Sequence, residues 1–138
     1  MGSALRSLAA VVAGFVAASV VMMIVEFMNG HVFYPELAKA AAGVTDRETI
    51  RGLFATAPVG SLLVVIAGWI LGGNVGGWTA ARLASRGTVG HGLFVGVLLT
   101  LAGVANNLML PPPVWFWIAS LVVLLPAAYA GARLAPKR

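Results

Sequence analysis

Four long apolar stretches dominate this chain and limit what it can fold into. They cover about residues 8–28, 59–81, 92–110 and 114–134. A bilayer needs roughly 20 mostly apolar residues per helix, because an α-helix rises about 1.5 Å per residue and the hydrocarbon is about 30 Å thick. Within that hydrocarbon the backbone groups must be paired inside the segment, so each stretch is predicted to be helical. The predicted fold is therefore all-α: a polytopic membrane protein with four transmembrane helices in one bundle.

Composition excludes the other broad classes of protein. The chain has 138 residues, of which 60% are hydrophobic and 9% charged, and its mean hydropathy is +0.97. A soluble domain carries about 25% charged residues, so too few charges are present here to cover a surface that faces water. Disorder requires low hydrophobicity and high charge, and is excluded as well. The length fits a single integral-membrane domain over residues 1–138.

The distribution of basic residues predicts the topology. Bases without neighbouring acids lie at both termini and in the second loop: Arg6, Arg82, Arg86, Arg133, Lys137 and Arg138. The first loop balances bases with acids, and the third loop carries no charge. Because cytoplasmic loops hold the excess of Lys and Arg, we expect both termini and the second loop in the cytoplasm. The net charge of +5 then reflects topology, and we expect the lipid bilayer rather than nucleic acid as the surrounding partner.

The first loop, residues 35–57, is the largest segment predicted outside the membrane. Thr45 and Glu48 have the spacing of a capping box, which pairs free amides at a helix start. Behind it, Ile50 and Leu53 recur at helical spacing. We therefore expect a short amphipathic helix on the outer surface of the membrane. It is either a lid or docking surface for a partner, or a connector that rests its apolar face on lipid.

Small residues predict how the helices meet. Membrane helices associate through close packing at small side chains, because lipid is as apolar as leucine. The second span carries two adjacent glycine rows and the first span a shorter one, formed by Gly68, Gly72 and Gly76, by Gly73 and Gly77, and by Gly14. Two rows give the second helix a broad flat face that can contact two neighbours. These contacts lie either within the chain or between subunits.

Only one ionisable residue is predicted inside a span, and such residues are functional candidates because they are costly in lipid. Glu26 lies about 27 Å along the first helix, counted from Leu8, roughly one turn below the outer surface. Asn106 and Asn107 lie at a matching depth on the third span. We therefore expect a polar cluster in the outer leaflet. Glu26 either faces a polar cavity and binds a proton or a cation, or hydrogen-bonds another helix as part of the structure.

Catalytic and metal-binding patterns are not found in the sequence. The chain has no cysteine, which excludes disulfides and thiolate chemistry. Glu26 and His31 are five residues apart and do not share a helix face, and His91 is predicted on the opposite side of the membrane. No serine is predicted to have a histidine and a carboxylate near it. We therefore expect no catalytic residues, no metal site and no cofactor.

Aromatic side chains mark the predicted outer interface. Tyr34, Trp115 and Trp117 lie near the outer ends of the spans, where amphipathic rings favour the headgroup region. The last two follow the rigid turn Pro111-Pro112-Pro113.

Several segments together resemble a known group of proteins. They are the glycine-rich start of the third span, the turn Leu-Pro-Pro-Pro-Val-Trp-Phe at 110–116 and the end Tyr-Ala-Gly at 129–131, with a looser match at Gly14 and at 35–49. The pattern is similar to a widespread, uncharacterised family of small four-helix bacterial membrane proteins. This resemblance implies a four-helix fold and a bacterial inner membrane, but no activity.

Two functions are compatible with the sequence. The first is a non-catalytic membrane subunit or scaffold that packs, through its glycine-rich faces and outer loop, against itself as a homo-oligomer or against a larger membrane partner. The alternative is a small oligomeric transporter or channel, coupled to protons or cations, that uses Glu26 and the two asparagines.

Overall fold

The computed structural model describes residues 2–136, and in this part of the chain it contains helices and no strands. The helices are α1 (Ser3–Met28), α2 (Pro35–Ala41), α3 (Arg47–Thr56), α4 (Val59–Leu83), α5 (Thr88–Met109) and α6 (Val114–Leu134). A π-helical turn over Asn29–Phe33 continues α1. Among the described residues, four helices are long and apolar enough to cross a membrane, and they pack as a bundle. The predicted fold class is confirmed.

The helix ends differ from the ends of the apolar stretches. The sequence predicts the first span at 8–28, but its helix begins at Ser3 and continues as the π-helical turn to Phe33. The sequence predicts the third span from residue 92, but α5 begins at Thr88, after Gly87 in a left-handed conformation. A helix does not need hydrocarbon to continue, because its backbone hydrogen bonds also form at the hydrated surface. The fourth span coincides with α6, since Pro113 directly precedes its first residue.

The long helices alternate in direction, so both described ends of the chain lie at one end of the bundle, called here the terminal end. The Arg6 guanidinium Nε donates a hydrogen bond to the Leu83 carbonyl oxygen at 3.1 Å, which joins the beginning of α1 to the last residue of α4. The opposite end carries α2 and α3 and is called the loop end. Both described ends of the chain are expected on one side of the membrane when the number of membrane-spanning helices is even, as it is for four.

Glycine allows α1 and α4 to approach closely. The buried residues of α1 are Ala10, Gly14 and Ala18, one on each successive turn. A Cβ added to Gly76 would lie 2.7 Å from the Gly14 carbonyl oxygen, and one added to Gly14 would lie 2.6 Å from the Gly76 carbonyl oxygen. Real side chains do not pack so tightly, so the two backbones are in direct contact there.

The second glycine row of α4 faces α6. A Cβ on Gly73 would lie 3.2 Å from the Ala127 Cβ, and one on Gly77 would overlap the Ala128 carbonyl group. The Asn74 side-chain amide, beside the second row, donates to the Ala127 carbonyl oxygen at 3.4 Å. The two rows therefore contact two different helices of the same chain, and α4 lies at the centre of the bundle.

The cap of α3 differs from the sequence prediction. The capping box of Thr45 and Glu48 is wrong, because Asp46 is the capping residue. One carboxylate oxygen of Asp46 accepts from the Thr49 backbone N–H at 2.7 Å, and the other accepts from the Thr49 hydroxyl at 2.9 Å. A carboxylate at a helix start also interacts favourably with the helix dipole. The hydrogen bond from the Thr49 backbone, followed by that from its hydroxyl, lowers the pKa of Asp46 below its ordinary value.

The apolar face of α3 is turned toward the bundle. Phe54 packs against a small cluster of Leu62, Ile66 and Phe116, contributed by α4 and α6. The helix therefore covers the loop end of the bundle, and the space below it is the candidate site.

Candidate functional site

A cavity of about 410 Å³ lies at the loop end, below α2 and α3. Its roof is apolar, with Leu37, Ala41, Ile50, Leu53 and Phe54 among the lining side chains. Its polar side chains come from the ends of α4 and α5 and from the end of α1 with its π-helical turn: Glu26, Asn29, Ser61, Asn106 and Asn107. The three residues predicted to form a polar cluster therefore line one cavity.

Asn29 begins the π-helical turn and joins it to α4. Its side-chain amide donates to the Ser61 carbonyl oxygen at 3.0 Å, and the residue is buried. The orientation of this amide follows from chemistry, because a backbone carbonyl can only accept and so must face the side-chain nitrogen. The Asn29 side-chain oxygen is left as a free acceptor.

Asn107 is fully buried between α5 and α6. Its side-chain amide donates to the Ser120 hydroxyl oxygen at 3.2 Å. Asn106, one residue earlier, is exposed. Neighbouring residues on a helix point about 100° apart, so the two asparagines border the cavity from different faces of α5.

Two buried acceptors at the site have no partner within residues 2–136. They are the side-chain oxygens of Asn29 and Asn107. Leaving a buried acceptor unpaired costs about 1–3 kcal/mol, and such groups are few in folded proteins. Both residues line the cavity, but each oxygen exposes less than 1 Å² of surface, so a donor in the cavity reaches it only after the amide side chain shifts.

Glu26 is the one charged residue among the described residues that line the cavity. It is exposed, because the space beside it is open. No Lys, Arg or His side chain of the described chain shares this lining. The site therefore combines one carboxylate with amide oxygens and has no basic counterpart.

A second space continues from Glu26 along the side of the bundle. This cleft of about 210 Å³ lies between α1 and α5, and Trp69 and Leu124 line its inner part. Glu26 and Asn106 line both the cleft and the cavity. The two spaces are therefore adjacent at these two side chains.

The other predicted residues lie outside this site. Tyr34 packs over Gly60 at the beginning of α4, where an added Cβ would overlap its hydroxyl group. Trp115 is exposed, and Trp117 is half-buried. The glycines singled out in the sequence line neither space and lie in helix contacts; among them, Gly68 and Gly72 pack against Val25 and Met22 of α1.

Sequence reasoning gave no role in the cluster to Asn29, Ser61, Trp69 and Ser120. Asn29 could have been assigned to it, because it follows Glu26 by three residues and residues so spaced share a helix face. Ser61, Trp69 and Ser120 carry no such signal, since their roles depend on contacts between helices.

Metal binding finds no support in the described residues, where no three His, Asp or Glu side chains are grouped. Comparison with models of protein families, with curated proteins and with solved structures finds no match to this chain. The resemblance to small four-helix bacterial membrane proteins therefore stays a prediction.

Proposed function

We propose that this protein is a multi-pass protein of the bacterial inner membrane that binds a small organic cation in the loop-end cavity. Four membrane-length helices support the membrane assignment. The excess of Lys and Arg at the termini and in the second loop favours cytoplasmic termini. In that orientation, the cavity faces the outer side of the membrane.

The set of acceptors in the cavity carries this proposal. Glu26 offers a carboxylate, and the side-chain oxygens of Asn29 and Asn107 are buried without partners. An ammonium group carries three hydrogen-bond donors and no acceptor, so it complements this set in both charge and hydrogen bonding. An anion would meet the Glu26 carboxylate with no basic residue in the described lining to offset it.

The rest of the lining favours an organic cation over a bare metal ion. Small-molecule sites measure roughly 300–1,000 Å³ and are mostly apolar, with few polar groups that orient the ligand. The volume of about 410 Å³ and the side chains of α2 and α3 fit this description. A divalent metal ion needs more charged oxygen ligands than Glu26 alone supplies.

Transport of the bound cation is the second candidate. It is supported by the one-sided position of the cavity, which ends above the tight contact of Gly14, Gly76 and Val95. The structural-subunit function has less support, because the glycine faces of α4 are filled by α1 and α6. A larger partner would have to use other surfaces.

Calorimetry with n-butylammonium and purified protein in lipid nanodiscs tests the binding function. Glu26→Gln should weaken binding about 10- to 160-fold, because a hydrogen bond to a charged group contributes about 1.5–3 kcal/mol. The matched control is Glu48→Gln, since Glu48 is exposed on α3 and does not line the cavity. The proposal would be refuted if both variants bound n-butylammonium equally well. It would also be refuted if the protein bound neutral 1-butanol as strongly as n-butylammonium.

Uptake of labelled n-butylammonium into proteoliposomes then separates transport from binding alone. Native mass spectrometry after mild extraction tests the remaining alternative. A stoichiometric larger partner, together with no binding of the amine, would instead support a structural subunit.

A further inference from the structure

We infer that the cation carries a single alkyl chain and reaches the cavity from the lipid, through the cleft between α1 and α5. This inference rests on the proposed function, because it specifies the ligand of the same site. The chain lies in the cleft, and the ammonium group lies beside Glu26.

The cleft results from the way that α1 meets its neighbours. α1 packs far more extensively against α4 than against α5. It approaches α5 at Gly14, where an added Cβ would lie 3.0 Å from a Val95 methyl group. From there toward the loop end, the two helices leave the space of about 210 Å³ between them. The cleft is therefore open along the side of the bundle that faces lipid in a membrane.

The walls of the cleft suit an alkyl chain. Apart from Glu26 and Asn106 at its end, its lining consists of Phe15, Ser19, Met22, Met23, Trp69, Leu99, Ala102, Gly103 and Leu124. The Ser19 hydroxyl donates to the Phe15 carbonyl oxygen at 2.9 Å, so it needs no other partner. Methionine side chains are flexible and fill irregular spaces, which suits a chain that moves past them.

Continuity with the polar cavity specifies the head of the ligand. Glu26 and Asn106 line both spaces, so one molecule can hold its charge at these residues with its chain in the cleft. A free alkylamine and an ethanolamine lipid share this ammonium chemistry. The lipid also carries a phosphate, which would lie near the Glu26 carboxylate, and two chains, which need more than one narrow cleft. The single-chain amine is therefore the occupant that the site favours.

An alkyl chain gains little free energy by moving from lipid to the cleft, because both are apolar. The cleft therefore determines the route and position of the chain rather than adding much affinity. The decisive measurement is the position of the chain, and Trp69 lies beside it as a natural fluorophore.

The experiment uses dodecylammonium brominated on its chain, which quenches tryptophan at short range. Trp78, Trp115 and Trp117 are replaced by Phe, so that Trp69 is the one remaining tryptophan. In nanodiscs, the brominated amine should quench Trp69 more strongly than phosphatidylcholine brominated on its chains at the same mole fraction. Added n-butylammonium should displace the amine and restore the fluorescence.

A matched pair of alanines tests the cleft itself. Both Ala102 and Ala105 are exposed on α5, but only Ala102 lines the cleft. Ala102→Leu should remove most of the additional quenching and leave n-butylammonium binding unchanged, whereas Ala105→Leu should alter neither.

The outcomes separate this inference from the proposed function. If n-butylammonium binds in a Glu26-dependent way but the brominated amine does not quench Trp69 beyond the lipid control, the lateral route is wrong and the binding function stands. If neither amine binds, both are wrong. If a brominated ethanolamine phospholipid quenches Trp69 as strongly as the amine, the occupant is a lipid, and the single-chain ligand is refuted.

Discussion

Replacement of Gly76 by alanine should destabilise the bundle, because it forces α1 away from α4. The added Cβ would lie 2.7 Å from the Gly14 carbonyl oxygen, 2.8 Å from the Ala18 Cβ and 3.3 Å from a Val95 methyl group. Two of these neighbours belong to the backbone or to the first carbon of a side chain. They cannot rotate away, so a helix must move.

The magnitude follows from this overlap. Carbon atoms prefer separations of about 3.5–4.0 Å, so the contact with the Ala18 Cβ is short by roughly 0.7 Å or more. Overpacking of this kind costs about 1–3 kcal/mol. Alanine also has a higher helix propensity than glycine, by up to about 1 kcal/mol, which opposes the loss. A control that has the propensity gain without the overlap is therefore needed.

Gly90→Ala is that control. Gly90 lies in the first turn of α5, and a Cβ added there meets nothing within 4 Å. We expect Gly76→Ala to be less stable than Gly90→Ala by about 1–3 kcal/mol. Gly77→Ala should be at least as unstable as Gly76→Ala, because its Cβ would overlap the Ala128 carbonyl group.

Reversible unfolding in mixed micelles, followed by circular dichroism as the denaturing detergent is increased, measures these differences. Equal free energies of unfolding for Gly76→Ala and Gly90→Ala would refute the direct backbone contact between α1 and α4. If Gly77→Ala lowered the free energy of unfolding and Gly76→Ala did not, α4 would be in close contact with α6 but not with α1.

Two other variants test the site and its roof. Asn107→Ala removes an unpartnered acceptor and should weaken n-butylammonium binding about fivefold in calorimetry, since one hydrogen bond contributes roughly 1 kcal/mol. The control is Asn74→Ala, which should leave this binding unchanged because Asn74 does not line the cavity. The hydrogen bonds from Thr49 lower the pKa of Asp46 in the folded protein. The ionised cap therefore stabilises α3 fully at pH values above the ordinary pKa of Asp46, which is about 4. This stabilisation is lost as the pH falls through the lowered pKa. Amide exchange in α3, corrected for its intrinsic rate, should therefore rise between about pH 6 and pH 3. Asp46→Asn, which caps without titrating, should remove this dependence, and an unchanged dependence would contradict the assignment.

The four membrane helices are predictable from the sequence, because uninterrupted apolar stretches of sufficient length can satisfy their backbone in lipid only as helices. The rows of glycine on α4 also indicate which of its faces turn inward, since close helix contacts require small residues. The cap of α3 is less predictable. Thr45 and Asp46 are both good capping residues, and the contacts of Thr49 with Asp46 decide between them.

Glu26, Asn106 and Asn107 stand out in the sequence because they are polar residues within apolar spans. Their chemistry and depth are therefore properties of the sequence. Their partners are not, because each membrane helix is apolar around most of its surface and its hydropathy does not specify its rotation. The bonds from Asn29 to Ser61 and from Asn107 to Ser120 join different elements of the fold.

The position of the cavity roof also depends on contacts between elements of the fold. The amphipathic pattern of α3 predicts an apolar face, but lipid and the bundle are equally apolar surfaces for it to cover. The contact of Phe54 with the ends of α4 and α6 decides in favour of the bundle. The membrane helices thus follow from backbone hydrogen bonding in lipid, a local requirement that the sequence displays, while the site exists only because packing rotates those helices and brings α3 over their ends.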